Sequence, residues 1–443
     1  MYLPKIIADT ITEIETAGSE AYAVGGCVRD SLMGRQPSDW DITTSALPED
    51  IEKIFSHFTV AETGLKHGTV TVVREKVPIE ITTYRIDGEY TDCRRPTSVR
   101  FTSNLADDLS RRDFTVNAMA YNPSRGIIDI FGGKNDLERK IIRCVGDPEK
   151  RFHEDALRIM RAIRFSAVLD FEIEKNTADA AKNCLALLGN ISAERISAEL
   201  NKLITAPDPS YVLQEFRDII AQILPEVRPA FDFDQKNPHH CFDVWTHTVE
   251  AIRHSTPDRF VRLALLFHDL AKPLCAKPDK DGHLHFDGHP SLSAEIANRV
   301  MHRLKYDTLT RKTVCSLVAL HDLRISADKI SVKKALKNIG AETFGRLLEV
   351  KLADNLSKSP NFTERYHETL RVKEIYSEII AANECFSLKT LAVNGSDLIA
   401  HGMAPGKHLG VILDKLLDSV IEEKCENEKS ALLRRTEVEP DMV

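Results

Sequence analysis

The chain has 443 residues, of which 42% are hydrophobic, and a formal net charge of −8. This length predicts two to four domains with packed cores, and the acidic balance excludes a protein that attracts nucleic acid through a global basic field. An RNA-binding interpretation therefore needs local basic surfaces, such as residues 92–164, which contain fifteen Lys and Arg against eleven Asp and Glu.

The spacing of the cysteines and the N-terminal residues predict the cellular compartment of the protein. Nine cysteines are scattered without a C-x-x-C pair, so neither a zinc site nor a disulfide framework is indicated. Residues 1–9 do not have the layout of a signal peptide, and no apolar run approaches membrane-spanning length. We expect a cytoplasmic protein that does not associate with a membrane.

The first 140 residues alternate short apolar segments with helical stretches, which predicts an α/β or α+β unit around one sheet. The predicted strands cover residues 21–24, 39–43, 69–73, 79–84, 116–121 and 127–129. From about residue 141 the hydrophobic pattern is helical to the end. Breaks in this pattern predict domains at 1–140, 141–235, 236–360 and 361–443.

A glycine pair, Gly25-Gly26, separates the first predicted strand from a predicted helical segment over residues 28–33. This segment contains Arg29 and Asp30. Glycines at this place let backbone N–H groups approach a phosphate at the start of a helix. The pair therefore predicts a phosphate-binding turn.

Two carboxylates, Asp39 and Asp41, lie two positions apart in the second predicted strand. Alternate side chains of a strand share one face, so the two would repel each other unless a cation lies between them. Glu80 lies in a predicted neighbouring strand, where Ile79 and Ile81 face the core, and is the candidate third ligand. The alternative is a turn at the two aspartates with Glu80 on the surface. A phosphate cradle beside a pair of metal-binding carboxylates is what nucleotidyl transfer requires.

Further polar residues have side chains that could bind a nucleotide. Arg111 and Arg112 precede Asp113 and a predicted strand, and arginine forks match the oxygens of a triphosphate. Asn117 offers an amide to a ribose or a base. The polar segment 85–96 joins two strands and is long for a hairpin, a property of functional loops.

A predicted helix over 151–161 places Asp155, Arg158 and Arg161 on one face. Asp155 would accept a hydrogen bond from the exocyclic amine of cytosine or adenine, and Arg158 would donate to ring nitrogen or carbonyl acceptors. The alternative is an i,i+3 salt bridge between Asp155 and Arg158.

In this order and spacing, the motifs resemble the class II CCA-adding tRNA nucleotidyltransferases and the related bacterial poly(A) polymerases, in the DNA polymerase β-like superfamily. The resemblance implies an α+β fold, with an N-terminal mixed β-sheet nucleotidyltransferase head followed by an all-α body. It implies that Asp39 and Asp41 bind two Mg²⁺ and that Arg112 and its neighbours hold the triphosphate. Asp155 and Arg158 would then select CTP or ATP without a nucleic-acid template.

The implied reaction is in-line attack of a tRNA 3′-hydroxyl on the α-phosphate, which adds CMP and AMP and releases pyrophosphate. The segment 87–96 resembles the flexible loop that helps this family switch from C to A, so its presence favours an enzyme that adds the terminal A.

In the helical part, four residues resemble the HD phosphohydrolase family: His247, the dyad His268-Asp269 after an apolar run, and the distant Asp354. Imidazoles and carboxylates that converge from several helices are typical of a divalent-metal site. The sequence therefore predicts a helical HD domain with a metal.

Other residues would extend this HD site to a second ion, namely His289 and the dyad His321-Asp322, with His283 and His285 as weaker candidates. The resemblance implies hydrolysis of phosphate esters such as 2′,3′-cyclic phosphates. The alternative is a site that serves only the architecture.

The helical tail carries the turn Pro405-Gly406-Lys407 before an amphipathic stretch. It resembles the tail of bacterial CCA-adding enzymes and predicts contact with the tRNA backbone, although plain packing is an equal alternative. The acidic end of the chain disfavours a poly(A) polymerase, which remains the first alternative. An HD phosphohydrolase with an RNA-binding head is the second, but such a head needs no paired carboxylates.

Overall fold

The computed structural model describes residues 1–64, 68–88, 98–361 and 363–438. The chain divides into two compact units, Met1–Pro225 and Glu226–Val443. The predicted α+β class is confirmed, since strands of the described residues form a sheet in the first unit and helices dominate the second. The four finer domains remain a prediction. Most of the predicted loop, residues 89–96, lies outside the described residues.

The first unit alternates strands and helices. Its strands are β1 Ala21–Val24, β2 Asp41–Thr44, β3 Thr59–Gly64, β4 Thr69–Arg74, β5 Val77–Thr83, β6 Arg85–Asp87, β7 Val99–Phe101, β8 Met119–Asn122, β9 Gly126–Asp129, β10 Ile141–Ile142 and β11 Glu172–Ile173. Its α-helices are α1 Lys5–Thr16, α2 Gly26–Leu32, α3 Pro48–Ile54, α4 Leu105–Ser110, α5 Gly133–Glu138, α6 Pro148–Glu154, α7 Leu157–Leu169, α8 Lys175–Asn183, α9 Ala193–Ile204, α10 Ser210–Glu215 and α11 Arg217–Ile223. Short 3-10 helices cover Thr115–Asn117 and Leu185–Asn190.

Among the described residues, seven strands form one sheet in the order β3-β4-β5-β2-β1-β8-β9. The β2–β5 pair is parallel, and its register sets Asp41 beside Glu80. In β5, Ile79 and Ile81 are fully buried and Glu80 is exposed, as the alternation of a strand with one buried face requires. The buried face packs against helices α1, α2 and α3, which leaves Glu80 on the side open to ligands.

The first unit differs from the sequence-based expectation in several features, among them the short strands β6, β7, β10 and β11, which were not predicted. The strand β3, with the sequence TVAETG, was not expected because it has no apolar run. The predicted strand at 116–121 begins only at Met119, since the backbone of Thr115–Asn117 turns as a 3-10 helix and Asn117 N donates to Phe114 O. The strand β2 begins at Asp41, so Asp39 lies before it.

The second unit is a set of helices with one short ribbon. Its helices are α12 Val244–His254, α13 Arg259–Phe267, α14 Lys272–Cys275, α15 His289–Arg303, α16 Thr308–Leu320, α17 Lys329–Ile339, α18 Ala341–Leu356, α19 Glu364–Ala381, α20 Gly395–Ala400, α21 His408–Ile421 and α22 Lys429–Val438. The ribbon pairs β12 Lys277–Pro278 with β13 Leu284–His285, and a 3-10 helix covers Pro225–Ala230. No helix of the described residues combines the length and apolar character that crossing a bilayer would need.

Candidate functional site

Two carboxylates, Asp41 and Glu80, are register partners where the parallel β2–β5 pairing begins, and Asp39 lies two residues before Asp41. Asp41 is the first residue of β2 and lies opposite Glu80, while Asp39 precedes the strand and is exposed. The expectation that Asp39 lies in the same strand as Asp41 is therefore wrong, because β2 begins at Asp41. Desolvation raises the pKa of Asp41 to about 6; the Arg112 charge opposes this rise, and the Asp39 and Glu80 charges add to it. An all-oxygen set of mutually repelling carboxylates fits a hard divalent cation such as Mg²⁺.

The turn before α2 brings Arg112 close to these carboxylates. Gly25 has a φ of +83°, a conformation that side chains disfavour, and its N–H donates to Met119 O at 3.1 Å. A Cβ on Gly25 would lie 3.0 Å from Arg112 Nη1. The glycine thus gives the guanidinium room beside the start of α2, whereas Gly26 is the first residue of that helix.

A buried residue that the sequence reading missed, Asp108, holds both arginines. Arg111 donates to Asp108 Oδ1 through Nε at 2.9 Å and Nη2 at 2.6 Å, while Arg112 Nη2 lies 3.4 Å from Oδ2. Thr43 in β2 also donates to Asp108. The Nε and Nη2 groups of Arg111 are therefore bound to Asp108, so Arg112 is the better candidate for binding a triphosphate. The i,i+3 and i,i+4 spacing of Asp108 from the two arginines was the available signal.

A buried chain of hydrogen bonds links α2 to α7. Arg29 donates to Asn117 Oδ1, Asn117 donates to Asp113 Oδ1 at 3.0 Å, and Arg161 Nε donates to Asp113 Oδ2 at 2.8 Å. Burial opposes ionisation of Asp113, but the Arg161 charge and these hydrogen bonds prevail and hold its pKa well below the usual value. Asp113 and Asn117 therefore fix the positions of two arginines, Arg29 and Arg161, from opposite sides.

The predicted helix over 151–161 is broken at Asp155. This residue has an extended backbone, follows the last residue of α6, and accepts a hydrogen bond from Leu157 N at the start of α7. The alternative i,i+3 salt bridge is absent from the described ion pairs, because Arg158 donates instead to Glu154 at 2.9 Å and to Arg111 O at 2.8 Å.

The carboxylate of Asp155 pairs with a residue forty positions away. Arg195, on α9, donates through Nη1 to Asp155 Oδ1 at 3.2 Å and through Nη2 to Oδ2 at 2.8 Å. No local spacing connects the two residues, so the sequence reading missed Arg195. Only the packing of α9 against α7 brings it to the base-reading candidates.

The second unit brings six predicted residues together in two buried groups. One group contains His247 of α12, His268 after α13 and Asp354 of α18; in each group the ligand atoms lie within 4.8 Å of one another. The other contains Asp269 with two more histidines, His289 and His321.

The imidazoles of this site are oriented by backbone carbonyls. His268 Nδ1 lies 2.6 Å from Leu265 O, and the Nδ1 atoms of His289 and His321 each lie 2.7 Å from a carbonyl three residues earlier. We assign the proton of His289 and of His321 to Nδ1, which turns their Nε2 lone pairs inward. The Nε2 atoms of His289 and His321 are 3.2 Å apart, a contact of two lone pairs that a shared cation would stabilise.

Asp269 bridges the two groups. Its Oδ1 lies 3.2 Å from His289 Nε2, and its Oδ2 lies 3.2 Å from His268 Nε2. Burial alone would lower the pKa of His268, yet the Asp269 and Asp354 carboxylates raise that pKa to about 9. The site therefore attracts positive charge, and its imidazole-rich donors fit first-row transition metals better than Mg²⁺.

A cavity of about 890 Å³ opens onto this centre. Asp269, Asp354, His289 and His321 line it, together with four cationic side chains, namely Lys272, Arg324, Lys358 and Arg365. Five carboxylates line it in all, and Lys272, Lys358 and Arg365 pair with three of them, so the walls carry mixed charge.

Three of the predicted residues, namely Asp322 and the weaker candidates His283 and His285, belong to neither of the two groups. Asp322 is exposed and pairs with Arg365 at 3.4 Å. His283 and His285 lie on the exposed β12–β13 ribbon beside Asp279, to which His285 Nε2 is 3.1 Å away. They belong to neither buried group, although His285 lines the cavity that opens onto the centre.

Family models match three parts of the chain. They are described as "Poly A polymerase head domain" over residues 21–143, "RNA and SrmB- binding site of polymerase A" over 170–231, and "tRNA nucleotidyltransferase domain 2" over 289–435.

Curated relatives match nearly the whole chain. A protein named CCA-adding enzyme from Lactobacillus delbrueckii subsp. bulgaricus is 37% identical over 427 residues, covering 95% of this chain and 94% of the relative. Another, from Ligilactobacillus salivarius, is 33% identical over 439 residues, covering 96% and 93%.

Solved structures are similar over the same length. The CCA-adding enzyme of Bacillus stearothermophilus in complex with CTP has a TM-score of 0.72 and 29% identity, covering 99% of this chain and 98% of that one. The Thermotoga maritima CCA-adding enzyme complexed with tRNA has a TM-score of 0.58 and 19% identity, covering 98% and 95%, and shows a similar fold.

Proposed function

The chain belongs to the CCA-adding enzymes, and we propose from this premise how its residues extend a tRNA. It is a template-independent nucleotidyltransferase that adds CMP and AMP from CTP and ATP to the tRNA 3′ end. Identity of 37% over 95% of the chain to a CCA-adding enzyme carries this conclusion. The activity belongs in the cytoplasm, where tRNA and nucleoside triphosphates are found.

The three carboxylates Asp39, Asp41 and Glu80 would hold two Mg²⁺. When bound, these ions lower the pKa of the attacking 3′-hydroxyl and neutralise the departing pyrophosphate. Arg112, held by Asp108 beside Gly25, binds the triphosphate and aligns its α-phosphate with the hydroxyl. Catalysis then consists mainly of positioning and of charge stabilisation.

The base is read at the junction of α6 and α7. Asp155 accepts from the exocyclic amine of cytosine or adenine, and Arg158 donates to the ring. The hydrogen-bond chain from Arg29 to Arg161 supports this proposal, because it fixes the junction against the turn that carries Gly25. The tail supplies contact with the tRNA backbone near Lys407, an exposed residue directly before α21.

The decisive experiment supplies tRNA lacking its 3′ end with CTP and ATP and sequences the product. We expect the wild-type protein to add CCA, and Asp41→Ala to add nothing while it still binds tRNA. Glu49→Ala, which removes an exposed carboxylate from the first turn of α3, is the matched control and should retain activity. A product with a run of A would instead indicate a poly(A) polymerase.

We propose a second function for the helical unit, hydrolysis of phosphate esters at a centre of two divalent metal ions. The bridging position of Asp269 between two buried groups favours it. His247, His268 and Asp354 would hold one ion, and His289 and His321 the other. When bound, such ions activate a water and polarise the phosphoryl group.

Elemental analysis tests this second function. We expect purified protein to contain a transition metal and His268→Ala to lose most of it, whereas Arg324→Gln, a change in the cavity wall, keeps it. Equal metal content in wild type and His268→Ala would refute the centre. Release of phosphate from a 2′,3′-cyclic nucleotide then tests catalysis separately.

A further inference from the structure

We propose that Arg195 is a positioning residue that makes Asp155 accept an amino group and reject a carbonyl oxygen at the same place on the base. Arg195 touches neither metal ligands nor triphosphate-binding residues among the described contacts. The inference rests on the base-reading role proposed for Asp155, and it extends that role to the discrimination against uracil and guanine.

The geometry of the pair is that of a fork on a carboxylate. Arg195 Nη1 and Nη2 donate to Asp155 Oδ1 and Oδ2 at 3.2 and 2.8 Å, respectively, an arrangement that fixes the plane of the carboxylate as well as its position. Leu157 N donates to Oδ1 from the first turn of α7 at 3.1 Å. The carboxylate is thus held from two directions while its backbone is extended between two helices.

The Asp155 carboxylate has one hydrogen-bond acceptor site left for a ligand. A carboxylate offers about four lone-pair sites. Leu157 N and Arg195 Nη1 use both sites of Oδ1, and Arg195 Nη2 uses one of Oδ2. Within the described residues, the remaining site on Oδ2 has no donor, so Asp155 can accept a single further N–H in a fixed direction.

That single acceptor separates the four bases by chemistry. Cytosine carries an amine at C4 and adenine an amine at C6, and both can donate to Oδ2. Uracil and guanine carry a carbonyl oxygen at those positions, which would face the carboxylate lone pair without a proton between them. A fixed carboxylate cannot turn away from this repulsion, whereas a free one can, so the rejection depends on Arg195.

The same helix contains a matched comparison. Glu199 follows Arg195 by four residues and pairs with Arg164 of α7 at 2.6 Å. Both side chains of α9 therefore contribute an ion pair, but Glu199 has no described contact with Asp155. Substitution of Glu199 removes an ion pair of α9 and leaves Asp155 fixed. Substitution of Arg195 removes an ion pair of α9 and also lets the Asp155 carboxylate rotate.

The test measures kcat/KM for addition of CTP, UTP, ATP and GTP to tRNA substrates that await C or A, for wild type, Arg195→Gln, Arg195→Lys and Glu199→Gln. We expect Arg195→Gln to lower the CTP/UTP and ATP/GTP ratios about tenfold or more. Arg195→Lys keeps the charge but lacks the fork, so it should give an intermediate loss. Glu199→Gln should keep the wild-type ratios, even where its Tm falls.

The outcomes distinguish a failure of the positioning role of Arg195 from a failure of the base-reading role of Asp155. Asp155→Asn is measured alongside, and unchanged base ratios in that variant would refute the base-reading role itself. If Asp155→Asn changes the ratios but both Arg195 variants keep them, only the positioning role of Arg195 is overturned. The same conclusion follows if Glu199→Gln lowers the ratios as much as Arg195→Gln. If Arg195→Gln does not fold, Arg195→Lys alone decides the question by the same ratios.

Discussion

Asp113 shows at the scale of one residue how a predicted ligand can instead be part of the support. Its carboxylate is buried, accepts from Asn117 and Arg161, and has a pKa well below the usual value although burial opposes ionisation. The Phe114 N–H also donates to Asp113 Oδ1 at 2.8 Å, so this buried carboxylate has little left for a nucleotide. We therefore infer that Asp113 acts by holding Arg161 and Asn117 in place.

The depressed pKa of Asp113 gives a pH dependence with a definite sign. Because its folded pKa lies below the unfolded value of about 3.9, the stabilisation is complete above that value and is lost as pH falls through it toward the folded pKa. We expect Asp113→Asn to lose about 3 kcal/mol at pH 7, and the difference from wild type to shrink below about pH 4. Urea unfolding across this range measures it.

Glu172→Gln, at an exposed carboxylate of β11, is the control and should track wild type at each pH. A loss in Asp113→Asn that is equal at neutral and acidic pH would show that the depressed pKa does not contribute.

Gly25 gives a second prediction at this scale. Gly25→Ala strains a backbone with φ +83° and places a Cβ 3.0 Å from Arg112 Nη1. We expect KM for CTP and ATP to rise together, by about tenfold for a displaced phosphate contact, with the choice between them unchanged. Gly34→Ala shares the positive φ but has nothing within 4 Å, so steady-state kinetics should show a near-normal KM there. Equal effects of the two changes would assign the defect to backbone strain alone.

At the scale of secondary-structure elements, the nucleotide site depends on where helices end and on how they pack against one another. The break between α6 and α7 frees Asp155 from helical geometry, and α9 supplies its partner. In the same way, α5 packs against the 3-10 turn that carries Asn117, since a Cβ on Gly133 would lie 2.2 Å from Thr115 O. Only glycine permits this approach.

Gly133→Ala should therefore displace the turn and the hydrogen bond from Arg29 to Asn117. We expect a loss of about 1–3 kcal/mol of stability from overpacking, seen as a lower Tm, together with weaker nucleotide binding. Gly189→Ala, in a 3-10 helix with nothing within 4 Å of the added Cβ, is the control and should leave both unchanged. A normal Tm in Gly133→Ala would mean that α5 can shift without cost.

At the scale of the whole molecule, two donor sets of different chemistry lie in separate compact units. The carboxylates of the first unit suit Mg²⁺, and the imidazoles of the second suit a transition metal. We expect chelation followed by Mg²⁺ alone to restore nucleotide addition without restoring ester hydrolysis. His268→Ala should lose bound metal and keep CCA addition, and Asp41→Ala should show the reverse, as elemental analysis and product sequencing can establish. Loss of both activities in either variant would contradict independent sites.

Residue type and short-range periodicity predict an α/β or α+β unit and the strand of Glu80 beside that of Asp41, whereas the grouping of His247, His268 and Asp354 was predicted from a resemblance to the HD phosphohydrolases. The tertiary structure alone decided that Asp155 pairs with Arg195 and that the strand begins at Asp41. A contact between residues forty positions apart depends on how two helices pack, and the start of β2 depends on which of its residues pair with β1 and β5. Neither property is written in the spacing of nearby residues.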